Sequence, residues 1–135
     1  MRGDSVQQDF LEDLPDGCPP EDATPPEAAS VIRLAKDPHP DPAHFASHAA
    51  RGLPLRGPMT CSYASCSLFF HDAGFDQLNA MRRLPRFKNF KYAYILKVDA
   101  NSGLGLAGAG KHLDLWMFKS FNPVSAIESV EVMHG

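Results

Sequence analysis

At 135 residues, with 44% hydrophobic residues and a net charge of −3, the chain has the length of one domain able to bury its own apolar core. No apolar run approaches membrane-spanning length, and Cys18, Cys61 and Cys66 are too few for a disulfide framework and lack zinc-ligand spacing. Residues 1–50 hold three Lys and Arg against ten Asp and Glu, residues 51–135 hold ten against six, and the cations of the second part sit mostly singly, which argues against a nucleic-acid footprint.

In chain order, Ser5-Val6-Gln7-Gln8 has the form of a capping box and predicts a short helix to about Glu12, with Gly17 closing that unit. Residues 15–42 are acidic and proline-rich and read as an irregular, exposed insertion, with Val31-Ile32-Arg33-Leu34 as a brief strand or turn beneath it. Asp41-Pro42 predicts the start of a second helix, aspartate capping and proline at the first helical position, running to Gly52 and carrying Phe45 and His48. Met59 to Phe70 reads as extended. "FDQLNAMRRLP" spaces Phe75, Leu78 and Met81 as a helix that Pro85 breaks. "YAYILKVDA" is the clearest strand, apolar enough to be buried on both faces, and "LDLWMFKSF" and "AIESVEVM" read as two more. Short strands among short helices make the fold class α+β. The thiols leave two states open, a Cys61–Cys66 bridge or free cysteines in a reducing compartment.

Three motifs carry chemistry on paper. "GLAGAGKH", Gly105 to His112, comes close to a phosphate-cradling P-loop, but His112 stands where the magnesium-binding hydroxyl belongs. A strand pattern also follows it where a helix N-terminus is required, so it reads as a glycine-rich loop. His39, His44 and His48 have metal-like spacing without a cysteine or carboxylate to complete a set, so no metal is expected. Arg2-Gly3-Asp4 is a cell-adhesion tripeptide, short enough to arise by chance.

One arrangement accounts for many residues together. "RGDS", then "SHAARG", "MTCS", "YAYILKVDANS" and "NPVSAIESVEVMHG" follow one another in an order that resembles the ADP-ribosylating toxins of the pertussis and cholera/heat-labile enterotoxin A-chain family. Arg2-Gly3-Asp4-Ser5 is similar to that family's Tyr-Arg-x-Asp-Ser strand end. Ser47-His48-Ala49-Ala50-Arg51-Gly52 is similar to its Asp-His helix, and Met59-Thr60-Cys61-Ser62 to its Ser-Thr-Ser strand. Two departures stand out: Thr60 replaces the first serine of that strand, and no glutamate occupies the catalytic position, where Asp114 is the nearest carboxylate.

The resemblance implies one ADP-ribosyltransferase-like domain over residues 1–135, a split β-sandwich with short helices around an NAD cleft and the 15–42 loop inserted. It implies a mono-ADP-ribosyltransferase toxin or effector, secreted or injected into a host cell and acting as a monomer, that moves ADP-ribose from NAD to a host protein. A leaderless chain beginning this close to Arg2 would suit an injection route, or a true start further upstream. The same resemblance assigns Arg2 to the pyrophosphate as a bidentate fork, with Asp4, Ser5, Thr60 and Ser62 completing the NAD contacts. It assigns proton chemistry to His48 and the negative charge opposite the ribose cation to Asp114. Tyr63 or Phe69 would stack on the nicotinamide. Without the resemblance, Arg2 is a terminal arginine, His48 a histidine at the core edge, Thr60 a strand threonine and Asp114 an edge-strand aspartate. The alternatives are a non-catalytic relative, its glutamate lost, that binds NAD or a host protein, and an Arg-Gly-Asp adhesion ligand.

Overall fold

Alternating apolar residues in six short runs build one antiparallel sheet. The computed structural model describes residues 9–47, 49–52, 60–71, 89–108 and 112–132. Its strands are β1 Ala29–Ala35, β2 Cys66–Phe70, β3 Tyr92–Val98, β4 Gly103–Ala107, β5 His112–Met117 and β6 Ile127–Val132, in the spatial order β4-β5-β2-β1-β3-β6. Among the described residues helix is confined to short 3₁₀ turns, so this is a small, mostly antiparallel β domain of α+β type. The helix expected over 75–84 lies outside the described residues.

The central strands bury side chains on both faces of the sheet, and strand alternation sorts them. Val31, Leu68, Tyr94, Leu96, Leu113 and Leu115 fill one face with Phe45. Ile32, Leu34, Ala93 and Ile95 fill the other, with Phe69 and Phe90 against them. The expected double burial of "YAYILKV" follows, because β3 contributes to both cores.

The insertion reading of residues 15–42 is corrected at β1. Val31 to Leu34 is no loop underlay but part of a seven-residue strand near the middle of the sheet, Val31 and Ile32 fully buried. On one side β1 pairs with β3 over seven residue pairs, from Ala29↔Val98 to Ala35↔Tyr92. On the other it pairs with β2 at only two, Val31↔Phe70 and Ile32↔Phe69. Beyond them the ladder parts and Arg33 fills the gap. Its Nη1 donates to the Ser67 carbonyl at 2.8 Å, Nε to the His44 carbonyl at 2.8 Å and Nη2 to the Ala46 carbonyl at 3.3 Å.

Three other local expectations change. Asp41 does cap a helical turn with Pro42 behind it, its carboxylate accepting the Ala43 amide at 2.9 Å, but the turn ends after Phe45. The Glu12 carboxylate captures the Ser47 amide at 2.9 Å and its hydroxyl at 2.6 Å, which draws the chain off a helical path. Residues 9–12 do not continue a helix from Ser5; Phe10 bridges Phe118 instead, and Leu11 donates to the Met117 carbonyl at 2.9 Å. The extended run ending at Phe70 begins only at Cys66: residues 60–65 fold into a hydroxyl-stabilised turn, with Ser65 Oγ donating to the Ser62 carbonyl at 2.8 Å.

The cysteines settle differently from both expected states. Cys18 and Cys61 form a disulfide across 43 positions, and Cys66 is a buried free thiol. The bridge ties the acidic segment to the turn before β2. Trp116 secures the same turn from below, its indole N–H donating to the Cys61 carbonyl at 3.0 Å.

Candidate functional site

β2 and β5 are neighbours, and their register sets three polar side chains on one face of the sheet. Ser67 lies opposite Asp114, and Phe69 opposite His112. Ser67 Oγ and His112 Nε2 are 2.5 Å apart. The other ring nitrogen, His112 Nδ1, faces Asp114 Oδ1 at 3.6 Å, too long for a hydrogen bond and within reach of an ion pair. Phe69 meets the imidazole edge-on, ring centroids 5.4 Å apart, and fixes its plane.

Asp114 is the unusual member. Its Oδ1 is buried and accepts no hydrogen bond. Buried carboxylate oxygens almost always have a donor, and one without is costly unless something else meets it. The chemistry such a group can do is to offset a positive charge brought into the site, in a setting where water screens little.

At the parting of β1 and β2, on the face opposite these three side chains with Val31 and Tyr94, stands Arg33, and Arg51 lies near it and Cys66. Neither is ion-paired among the described residues. Partial burial and the neighbouring Arg33 charge both pull the Arg51 guanidinium below its ordinary range. Arg33 is committed to three carbonyls, which leaves Arg51, on the turn through Gly52, as the guanidinium open to an anion. Buried Cys66 lies among these charges; burial pushes its thiol up, with Arg33 pulling the other way. A nucleophilic thiolate is therefore not what this site provides.

The residues expected from sequence fare unequally. Arg2, Asp4, Ser5 and His48 lie outside the described residues. Thr60 and Ser62 are exposed and lie on the turn before β2, not in a strand, and Thr60 Oγ1 accepts the Tyr63 amide at 3.3 Å. Met59 lies outside the described residues. The strand near it does not adjoin Tyr92–Val98, because β1 stands between β2 and β3. Asp114 is on β5 as a half-buried residue, and the hydroxyl opposite it belongs to Ser67. Of the two stacking candidates, Phe69 is on the site face, against His112.

Ser67 and His112 escaped the sequence reading. Their signal was period two: His112, Asp114 and Trp116 alternate along one strand, and Ser67 and Phe69 along its neighbour. Gly103–Ala107 is an antiparallel strand paired with β5, and residues 109–111 lie outside the described residues. Among the described residues no group of three or more His, Cys, Asp or Glu could hold a metal ion, and no helix is long and apolar enough to cross a membrane. His44 instead pairs with Asp37, Nε2 to Oδ2 at 3.2 Å. No family model, curated protein or solved structure matches the chain.

Proposed function

We infer that the chain is a mono-ADP-ribosyltransferase that takes NAD as co-substrate and modifies a host protein, with Asp114 as its catalytic carboxylate and Ser67 as the hydroxyl first expected at Thr60. The observation that carries this reading is the buried, donorless Oδ1 of Asp114, held beside Ser67 and His112. Transfer breaks the bond between ribose C1′ and the nicotinamide nitrogen, and the electron pair leaves with nicotinamide. The positive charge left on the ribose is what a spare carboxylate would stabilise, an effect worth a few kcal/mol when the group is held in place beforehand.

The other parts have candidates. The pyrophosphate role stays with Arg2, as the resemblance implies. Phe69 offers an aromatic ring on the site face. The split β-sandwich rests on the resemblance alone, since the described strands form one continuous six-stranded sheet. The Cys18–Cys61 bridge supports a secreted destination over a reducing one.

A second reading also has an observation behind it. Aspartate is one methylene shorter than glutamate, and Ser67 Oγ is already engaged by His112, both of which suit a relative that binds NAD or a host protein without turnover. Nicotinamide release, measured with and without a host-cell lysate as acceptor, separates the two. Wild type should release nicotinamide, and Asp114→Asn, which keeps shape and removes charge, should lose it. Equal release from both would remove Asp114 from the mechanism. NAD binding without release from wild type or from Asp114→Glu would make the binding module the better account.

A further inference from the structure

We propose that Ser67 and His112 form a proton relay serving a hydroxyl acceptor, so that ADP-ribose carried by this site ends on the oxygen of water or an alcohol and not on a guanidinium nitrogen. The inference rests on the NAD reading above and adds the acceptor class to it. Ser67 Oγ, His112 and Asp114 stand in the order hydroxyl, base, carboxylate, with 2.5 Å and 3.6 Å between successive polar atoms. With the ring proton on Nδ1, Nε2 is the acceptor for the Ser67 proton, and the imidazolium that results faces a carboxylate.

The surroundings of the ring narrow the acceptor. Asp114 is the charged group facing it from its own strand. β2 contributes Ser67 and Phe69, and the β4 side contributes Leu106, opposite Asp114, and the Gly108 amide, which donates to the His112 carbonyl. So among the described residues the cluster has a single carboxylate, and the NAD reading assigns it to the ribose. A guanidinium acceptor stays protonated in proteins and is held by carboxylates, so it would need a second one here. A hydroxyl acceptor needs only one proton removed as its bond forms, which an imidazole can do.

The step balances without a further reagent. The C1′–N bond breaks and its electron pair leaves on neutral nicotinamide. The acceptor oxygen bonds to C1′ and gives its proton to Ser67 Oγ, while the Ser67 proton passes to His112 Nε2 and then to solvent. NAD⁺ and R–OH become the O-linked ADP-ribose, nicotinamide and H⁺.

The test incubates the full chain with NAD in water alone, with added methanol as a small alcohol, and with agmatine as a guanidinium acceptor. Free and substituted ADP-ribose are separated from nicotinamide, and NAD affinity is measured by calorimetry. Wild type should give ADP-ribose and its methyl derivative but no agmatine adduct. His112→Gln keeps a hydrogen-bonding partner for Ser67 and cannot take its proton. It should lower turnover on the order of a hundredfold to ten-thousandfold and leave NAD affinity unchanged. Ser67→Ala should lose as much, and the double variant no more than either alone, because the two act as one unit. An agmatine adduct, or His112→Gln turning over at the wild-type rate, overturns the relay while leaving NAD cleavage standing. A wild-type chain that neither binds nor cleaves NAD removes both readings together.

Discussion

Replacing Arg33 with lysine keeps the charge and removes the fork, and the structure says what that costs. Three carbonyls, of His44, Ser67 and Ala46, accept from one guanidinium where the β1–β2 ladder has parted. Hydrogen bonds from a charged donor contribute about 1.5–3 kcal/mol each, toward the low end for part-buried groups. The set therefore amounts to about 4–5 kcal/mol, a large share of the roughly 5–15 kcal/mol that holds a domain folded. An ammonium on a flexible stem can replace one of the three contacts, so Arg33→Lys should cost about 2–3 kcal/mol and Arg33→Met about 4–5 kcal/mol. The assay is urea unfolding with the disulfide intact. With a slope near ~1.5 kcal/mol/M, the lysine variant's midpoint should fall by about 1.5–2 M at unchanged slope. Because Arg33 also fixes the backbone of Ser67, the NAD reading further requires nicotinamide release to fall in the lysine variant even where it is fully folded. A lysine variant within about 0.5 kcal/mol of wild type, the scatter of ordinary surface substitutions, would refute the view that Arg33 holds the parted strands.

Further tests probe other parts of the fold. At Gly103 an added Cβ would run into the Trp116 backbone carbonyl, so Gly103→Ala should lower stability by about 1–3 kcal/mol in the same unfolding assay. Gly105→Ala should be milder, since the nearest obstacle is the end of the Leu113 side chain at 3.0 Å. Removing the Cys18–Cys61 bridge as a double alanine variant frees a loop across 43 positions, and chain entropy sets the loss at about 4 kcal/mol, read as a lower melting midpoint that reductant no longer changes. Burial, then the Asp37 and Asp41 carboxylates, push the Tyr94 phenol up to about 12. An unfolded tyrosine ionises near ~10, so the folded state prefers the neutral phenol; its contribution is complete below pH ~10 and is lost as pH rises toward about 12. Tyr94→Phe should flatten stability over that alkaline window, and a wild-type phenol titrating at its ordinary value would contradict the burial argument.

Much of the sheet was legible because its strands are apolar runs with β-branched and aromatic residues, as in Tyr92–Val98 and Ile127–Val132. β4 was hidden because Gly103 and Gly105 are poor strand formers. Their place in a strand follows from pairing with β5, Gly103 against its backbone and Gly105 against the Leu113 side chain, a tertiary fact with no local trace. β2 was legible as extended chain but not in its start. Ser62 and Ser65 bond locally and bend the backbone, while the pull of Cys18 on Cys61 comes from 43 positions away. At the site, Asp114 could be named from sequence, yet its partner could not. The resemblance drew attention to Thr60, whereas the strand that faces β5 begins six residues later, at Cys66.

The placement of the polar trio is itself an argument that β2 and β5 do more than complete a core. Leu68, Leu113 and Leu115, on the opposite face of the same strands, are buried and wholly apolar. On the site face, Ile32, Leu34, Ala93 and Ile95 of β1 and β3 are joined by Phe69 of β2 and Trp116 of β5, and Ser67, His112 and Asp114 interrupt that apolar surface. A chain selected for packing alone would continue the hydrophobic face across β2, and Ser67 and Asp114 would be the positions to fill. Instead, a hydroxyl and an imidazole hold each other, and a carboxylate oxygen is left buried without a donor. An unmet acceptor of this kind destabilises a fold by about 1–3 kcal/mol. Binding sites are where such a cost is commonly retained, since a ligand carrying the complementary charge recovers it. The parted β1–β2 ladder points the same way. Closing it would have supplied ordinary backbone hydrogen bonds, and the chain spends an arginine to keep it open next to Ser67.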